Sequence, residues 1–247
     1  MSLDKLEGKG FFTKEIEDEL LNHSIDIAVH SYKDLATTLP DGLRIAAITE
    51  REQANDLLLA THPMIGVKDL TQLKPGARVG TSSLRRKAML RYYRPDLDLV
   101  DLRGNVPTRI QKLRNGLDAI VIAQAGVRRI NPDTEGLSSV ILPLDFFVPA
   151  PAQGALAIQM REDDSAIAKV GLLNHRPTEV CTTAERRVLQ LLGGGCHLPL
   201  GVYVEWVDDE FIAQVFYAPP AGKSRFFCAR SVSDTLLPGV IMAKFNE

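Results

Sequence analysis

The chain has 247 residues, of which 45% are hydrophobic and 24% are charged, and its formal net charge is −2. A chain of this length can bury the cores of two or three domains. The slightly negative charge argues against a general nucleic-acid-binding protein, because such proteins usually carry a basic excess. Three cysteines are too few for a disulfide framework, and no apolar run in the sequence is long enough to span a membrane. These features predict a reduced cytoplasmic protein that has neither nucleic acid nor membrane as a partner.

The first unit along the chain places polar residues after a strand. Residues 13–21 have the acidic start and the single apolar face of a helix, and residues 25–29 form a short apolar run typical of a buried strand. Ser31, Lys33 and Asp34 follow that strand. Ligands of open α/β sheets bind at the carboxyl ends of strands, so this loop is a candidate site. The alternative is an exposed, weakly coupled Lys–Asp pair, and the two interpretations are about equally supported.

The second unit has arginines where a helix disfavours cations. Strands at 77–79 and 97–102 each end in a turn that opens a helix, with Ser82 or Ser83 as the cap of the first and Asn105 as the cap of the second. The first turns of these helices contain three arginines: Arg85, Arg86 and Arg109. The positive end of the helix dipole repels cations. An anion bound by the backbone N–H groups and the guanidinium groups together would remove the conflict.

A third strand of this unit, at 118–123, is also followed by arginines, Arg128 and Arg129. We therefore predict that three strand–turn–helix units share the arrangement and build one site for a large polyanion. The alternative is scattered charge on solvated surfaces. The predicted site is not a P-loop, because the sequence contains no G-x-x-x-x-G-K-[ST].

Strands that alternate with helices predict α/β lobes with doubly wound, parallel sheets. Residues 142–151 are typical of a linker, and residues 154–160 predict a strand that returns to the first unit, so that two crossings form a cleft with a hinge. Residues 202–213 and 216–231 alternate like antiparallel strands around one turn, which predicts a small α+β C-terminal domain. The predicted domains are residues 4–53 with 148–172, residues 54–147, and residues 173–247.

Cys196 is the cysteine with the most unusual surroundings. It follows three glycines, residues 193–195, directly after a predicted helix at 178–192. Glycines permit backbone shapes that are closed to other residues, so we expect the thiol on a tight, exposed loop suited to covalent attachment. The alternative is a small buried apolar residue. No second cysteine or histidine pair lies at metal-ligand spacing, so no metal is predicted.

Six segments carry a resemblance to a known family, in this order: GKGFFTKEIEDELLNHSIDIAVHSYKDL, VGTSSLRRK, LRGNVPTRIQKL, DAIVIAQAGVRRI, PAPAQGALAI and AERRVLQLLGGGCHLPLG. Together they resemble porphobilinogen deaminase, also called hydroxymethylbilane synthase, over nearly the whole chain. The resemblance implies two lobes similar to periplasmic-binding-protein domains, joined by a hinge, with a small third domain. It implies a cytoplasmic, monomeric transferase of porphyrin and heme biosynthesis. Such enzymes join four porphobilinogen molecules head to tail into the tetrapyrrole hydroxymethylbilane and release ammonia at each step.

The resemblance also implies roles for individual residues. Cys196 would hold a dipyrromethane cofactor through a thioether, and Asp34 would be the catalytic carboxylate that stabilises a cationic intermediate. Cofactor-binding positions would be Lys33, Ser83, Arg85, Arg86, Arg103, Gly104 and Asn105. Substrate-binding positions would be Ser31, Arg109 and Arg129. Cofactor and four added rings carry about a dozen carboxylates, which explains why so many cations are needed.

The sequence departs from the family pattern in two places. Family members open with a strand carrying R-x-S-x-L-A, then a helix and a second strand; the sequence joins the pattern only near Gly8, so we expect an incomplete first lobe. Ala152-Gln153-Gly154 stands where Gly-Gln-Gly is usual. The alternatives to an active deaminase are a truncated, inactive deaminase and a non-catalytic, two-lobed protein that binds small anions.

Overall fold

The computed structural model describes residues 11–65, 68–194 and 198–245. The α-helices are α1 (Phe11–Leu21), α2 (Leu84–Tyr93), α3 (Val106–Arg114), α4 (Gln124–Ile130), α5 (Ile167–Val170), α6 (Arg176–Leu191) and α7 (Leu237–Lys244). The strands are β1 (Ala28–Ser31), β2 (Leu43–Ile48), β3 (Asp56–Ala60), β4 (Arg78–Gly80), β5 (Asp98–Val100), β6 (Ala119–Ala123), β7 (Ser138–Ile141), β8 (Leu156–Arg161), β9 (Leu200–Val207), β10 (Glu210–Tyr217) and β11 (Arg225–Ser231). Within these ranges no helix has the length and apolar character needed to cross a membrane.

Sheet I has the order β1-β8-β2, and β8 pairs antiparallel with both neighbours. Strand β8 comes more than 100 residues after β2 in the chain, so the chain leaves this sheet through residues 49–55 and returns through residues 148–155. We call these two segments the first and second crossing. The antiparallel return places the loop after β1, with Lys33 and Asp34, beside the second crossing, since Tyr32 N donates to Ala155 O over 3.0 Å.

Sheet II has the order β5-β4-β6-β3-β7. Strand β4 pairs parallel with β5 and β6, whereas β3 pairs antiparallel with β6 and β7. Leu58 and Leu90 share a core on one face and Leu59 and Ile110 share a core on the other, so α2 and α3 cover opposite faces. The doubly wound prediction is confirmed for sheet II, but the parallel prediction is wrong for β3 and for β8 of sheet I, each of which runs antiparallel to both of its neighbours. As a result, the amino end of β3 lies at the carboxyl end of β6, with Asp56 opposite Ala123.

Both predicted helix caps of sheet II are confirmed, but the predicted arginine position in the third unit is not. Ser83 Oγ accepts from Arg86 N at 3.4 Å, and Asn105 Oδ1 accepts from Thr108 N at 3.0 Å. In the third unit, Arg128 and Arg129 occupy the last turn of α4, where the helix dipole favours cations. The prediction of a third arginine-bearing helix start is therefore wrong.

The remaining strands form sheet III, an antiparallel sheet with the order β9-β10-β11. Val188 of α6 and Ile241 of α7 pack with this sheet in one core. The sequence pattern predicts a single turn, but the chain also reverses at Asp208 and Asp209, whose φ angles are 49° and 62°. A turn of this kind needs positive φ at both central residues, which aspartate tolerates better than most residues.

One buried carboxylate joins the two crossings to sheet III. Glu185 of α6 is fully buried and accepts hydrogen bonds from Arg51 Nη1 at 2.7 Å, Ala152 N at 2.6 Å and Val204 N at 2.8 Å. Arg51 lies in the first crossing, Ala152 in the second, and Val204 in β9. A buried carboxylate with this many donors is costly to disturb, so Glu185 fixes where the crossings pass each other.

The second crossing contains two residues with left-handed backbone conformation. Gly154 has φ +95°, and a Cβ atom at this position would lie 2.4 Å from Glu52 O, so only glycine fits. Ala152 has φ 61° and is fully buried. An L-residue other than glycine in this conformation stores about 1–2 kcal/mol of strain.

We expect Ala152→Gly to raise the free energy of unfolding by up to about 1 kcal/mol. Relief of the strain outweighs the lost burial of one methyl group, which is about 0.8 kcal/mol. Urea denaturation measures the change. The matched control is Ala88→Gly inside α2, where the same substitution should cost about 1 kcal/mol. Equal destabilisation by both substitutions would show that Ala152 is not strained.

Candidate active site

The loop after β1 is held in place by a guanidinium group from α6. Arg186 Nη1 donates to Tyr32 O and to Leu35 O, both at 2.9 Å, and Nη2 donates to Ala36 O at 2.6 Å. The guanidinium also lies over the Tyr32 ring, 4.3 Å from its centre. Lys33 thus lies in a turn of which three carbonyl groups accept from one buried guanidinium group.

The arginines at the start of α2 face a buried carboxylate from β3. Arg86 Nη2 lies 2.6 Å and Arg86 Nε 3.0 Å from Asp56 Oδ1, and Arg85 Nη1 lies 2.7 Å from Asp56 Oδ2. Asp56 has no exposed surface, and Arg85 and Arg86 are 3% and 5% exposed. The Asp56 carboxylate is therefore part of the negative charge that the sequence predicted beside these arginines.

Neutralisation at Asp56 is incomplete, because two guanidinium groups face one carboxylate. Burial alone would raise the pKa of Asp56, but the charges of Arg85 and Arg86 outweigh it and hold that pKa well below its usual range. Burial lowers the pKa of Arg85, which Asp56 partly offsets. Arg85 Nη1 also donates to Val148 O at 2.7 Å, while Arg85 Nε is buried without a hydrogen-bond partner among the described residues.

Gln153 connects this cluster to the loop after β1. Its Nε2 donates to Ala54 O at 2.7 Å and to Asp56 Oδ1 at 2.9 Å, and its Oε1 accepts from Lys33 Nζ at 3.3 Å. Gln153 is 1% exposed. One side chain of the second crossing therefore contacts the charged groups of both sheets.

Lys33 and Arg109 carry perturbed charges on the open side of the cluster. Burial lowers the pKa of Lys33 to about 8, with a further decrease from Arg86 and opposing contributions from Asp34 and Asp56. Burial likewise lowers the pKa of Arg109, Arg86 lowers it further, and Asp34 partly offsets the change. Asp34 itself is exposed. The charge of Asp34 thus acts on cations from both sheets, across the cleft between them.

Two loops that face this cleft are shaped by local hydrogen bonds. Ser82 Oγ accepts from Leu102 N at 3.0 Å and donates to Leu102 O at 3.1 Å, which ties the two arginine-bearing turns together. Arg109 Nε donates to Gly104 O at 2.7 Å. Gly104 has φ +117°, and a Cβ atom there would lie 2.7 Å from Thr108 Cγ2, so glycine is required.

The structure thus brings together Lys33, Asp34, Arg85, Arg86 and Arg109, and it places Ser83, Gly104 and Asn105 in the turns around them. Ser31, Arg103 and Arg129 are exposed, and Arg129 lies in the last turn of α4 rather than beside a helix start. Cys196 lies outside the described residues.

Sequence reasoning missed three residues of this site, Asp56, Gln153 and Arg186. Asp56 had a usable signal, because a charged residue opens the otherwise apolar run of β3 and needs a partner. Gln153 lies in the family motif at residues 152–154, but no local pattern around Gln153 or Arg186 indicates their partners. Their hydrogen bonds go to residues more than 90 positions away in the chain.

The charges of these residues can be compared with those of the dipyrromethane cofactor that the family resemblance implies. Four cations, Lys33, Arg85, Arg86 and Arg109, lie near two carboxylates, Asp34 and Asp56. The excess positive charge suits a ligand that carries several carboxylates. Arg85 Nε, which has no hydrogen-bond partner in the described part of the chain, and the side-chain-free surface of Gly104 agree with such a ligand, so the residues fit it.

The fold and the cleft define a class: a two-lobed α/β protein with a double crossing and a cationic cleft around one exposed carboxylate. Comparison with known proteins gives the family. Residues 1–169 match the family model "Porphobilinogen deaminase, dipyromethane cofactor binding domain", and residues 179–216 match "Porphobilinogen deaminase, C-terminal domain". The chain belongs to the porphobilinogen deaminase family. It is accordingly a tetrapyrrole-biosynthesis transferase with a dipyrromethane-binding domain.

Named relatives support this assignment. The porphobilinogen deaminase of Helicobacter hepaticus is 45% identical over 221 residues, which cover 89% of this chain and 67% of the relative. That of Geobacillus kaustophilus is 44% identical over 228 residues, which cover 92% of this chain and 72% of the relative.

Distantly related solved structures also match the chain. The reduced regulatory domain of OxyR2 from Vibrio vulnificus has 14% identity and a TM-score of 0.40, covering 65% of this chain and 74% of that one. An ancestral cationic amino acid solute binding protein has 13% identity and a TM-score of 0.41, covering 73% of this chain and 70% of that one.

We expect Asp56→Asn to lower the free energy of unfolding by about 3–5 kcal/mol, because it leaves two buried guanidinium groups without a counter-charge. Urea denaturation at neutral pH measures the loss. The control is Asp98→Asn at an exposed ion pair, 3.7 Å from Arg78 Nε, which should change stability by less than about 1 kcal/mol. Similar small effects of both substitutions would mean that Asp56 does not compensate the arginines.

Proposed function

We propose that Asp34 is the catalytic carboxylate of the deaminase reaction in this chain, and that cations of both sheets bind the carboxylates of porphobilinogen and cofactor. The observation that carries the proposal is the position of Asp34. It is exposed in the cleft, and its charge acts on Lys33 from one side and on Arg109 from the other. The second carboxylate of the cluster, Asp56, is buried and already paired.

The chemistry at the substrate follows from this arrangement. The aminomethyl group leaves in its protonated form, so when its carbon–nitrogen bond breaks, the electron pair goes to nitrogen, neutral ammonia is released, and the pyrrole retains a positive charge spread over its ring nitrogen and methylene carbon. A carboxylate beside that nitrogen stabilises the charge where it develops. The free α-carbon of the terminal ring then forms a carbon–carbon bond to this methylene carbon. The proton that this α-carbon loses can pass to Asp34.

The arginines and Lys33 have a separate task in the proposal. Porphobilinogen carries two carboxylates, so binding it requires cations held at fixed positions, which buried and capped guanidinium groups provide. Substrate-binding residues are Ser31, Arg109 and Arg129. Cofactor-binding residues are Lys33, Ser83, Arg85, Arg86, Arg103, Gly104 and Asn105. The dipyrromethane, when bound through a thioether to Cys196, supplies the free α-carbon at which chain growth begins.

We further propose a cytoplasmic monomer with domain limits at residues 4–53 with 148–172, residues 54–147, and residues 173–247. The cation cluster, Asp34 and the Arg186 clamp lie within a single chain, so the proposed site needs no residue from a second subunit. A reducing compartment is supported by Cys181 and Cys228, which are both free thiols.

The proposed attachment is tested by intact mass. The purified chain should carry the added mass of one dipyrromethane, and Cys196→Ser should lack it. Cys228→Ser removes another thiol and is the control that should retain the added mass. Unmodified wild-type protein would instead point to a non-catalytic anion-binding protein or an inactive deaminase.

The role of Asp34 is tested by Asp34→Asn, which preserves shape but removes the negative charge. We expect the added mass on Cys196 to remain and kcat to fall by about 100-fold or more, since the lost interaction acts on the charge of the transition state. Asp41→Asn, at an exposed residue after the same loop, should keep wild-type turnover. A near-wild-type rate for Asp34→Asn would remove this residue from the mechanism.

A further inference from the structure

Gln153 occupies a place in the fold where both of its amide ends are used. It lies in the second crossing between Ala152, with φ 61°, and Gly154, with φ +95°. Its backbone is held as well, because Gln153 N donates to Ala150 O at 3.0 Å and Gln153 O accepts from Arg51 Nε at 2.9 Å. The side chain therefore extends from a backbone that has little freedom to move.

The orientation of the Gln153 amide is fixed by its neighbours. The amide nitrogen donates to the Asp56 carboxylate and to Ala54 O, which are both pure acceptors, and the amide oxygen accepts from the Lys33 ammonium, which is a pure donor. Rotation of the amide by half a turn would place NH2 against the ammonium and oxygen against two acceptors. Only one orientation satisfies all three partners.

Lys33 depends on this contact because of the other charges around it. From the same turn Asp34 favours the charged ammonium, and from β3 Asp56 does so too, whereas Arg85 and Arg86 of α2 oppose it. Gln153 Oε1 is an uncharged acceptor placed between the lysine and the arginine cluster. Without this acceptor, less would offset the repulsion between the Lys33 ammonium and the two guanidinium groups.

We propose that Gln153 is a positioning residue that holds the Lys33 ammonium charged and at a fixed distance from the Asp56–arginine cluster. Its consequence for turnover rests on the proposed function, in which Lys33 binds carboxylates. The contact itself does not. Gln153 belongs to the second crossing and bridges Lys33 to Asp56. This bridge keeps the carboxylate-binding groups of the two sheets at fixed positions relative to each other.

The experiment measures the titration of Lys33 directly in the full chain as purified. Acetic anhydride labels neutral amines, and mass spectrometry of the Lys33 peptide across a pH series gives its pKa, which should be about 8 in the wild type. Gln153→Met keeps the length and removes the acceptor, so the midpoint should fall by roughly half a pH unit or more. Gln153→Glu adds a negative charge beside Lys33 and should raise it. Gln214→Met, in β10, is the matched control and should leave it unchanged.

The pH dependence of kcat/KM provides the second readout, and its basic limb should shift in the same direction as Lys33 in each variant. Opposite shifts in the two Gln153 variants support the bridge, since a merely structural role would not change sign. Unchanged Lys33 titration in both variants overturns it. If Gln153→Met does not fold, the direction of the Gln153→Glu shift decides alone. Labelling shifts without matching shifts in kcat/KM would uphold the bridge and overturn the role of Lys33 in turnover.

Discussion

The pairing of Asp56 with Arg85 and Arg86 is the interaction on which the site depends. Two guanidinium groups at a helix start, both nearly out of contact with water, would be very unfavourable without a counter-charge. Asp56 makes the cluster possible but does not cancel it, so positive charge is left over at the cleft. Neighbouring residues fix where this excess positive charge lies. Gln153 contacts Lys33 beside the cluster, and Ser82 joins the two arginine-bearing turns. Arg109 adds a further positive charge on the open side.

The direction of a single strand explains why this cluster exists. In an all-parallel sheet the amino end of β3 would lie at the opposite edge from the helix starts, and Asp56 could not reach Arg86. Because β3 runs antiparallel to β6, its first residue lies at the edge where α2 and α4 begin. Both crossings pass this same edge, which is how Gln153 of the second crossing comes within hydrogen-bond distance of Asp56.

Features that depend on neighbouring residues, such as helix caps, could be predicted from the sequence. Features that depend on partners far away in the chain could not. The caps Ser83 and Asn105 and the arginines of the first turns follow from local rules, and the structure confirms them. The length of α4 was not predicted. The helix ends after about two turns because Asn131 adopts a left-handed conformation, and this places Arg129 in the last turn. The direction of β3 is likewise set by pairing across the sheet rather than by its own residues, so the Asp56 contact could not be foreseen.

The Arg186 clamp has a consequence for how far the product can travel. Helix α6 holds the Asp34 loop through Arg186, and the same helix ends at Leu191, five residues before Cys196 in the sequence. Five residues span at most about 17 Å. In the proposed function, a pyrrole chain attached at Cys196 is therefore tethered to the helix that holds the Asp34 loop, so the same helix holds the anchored end of the chain and the proposed catalytic carboxylate.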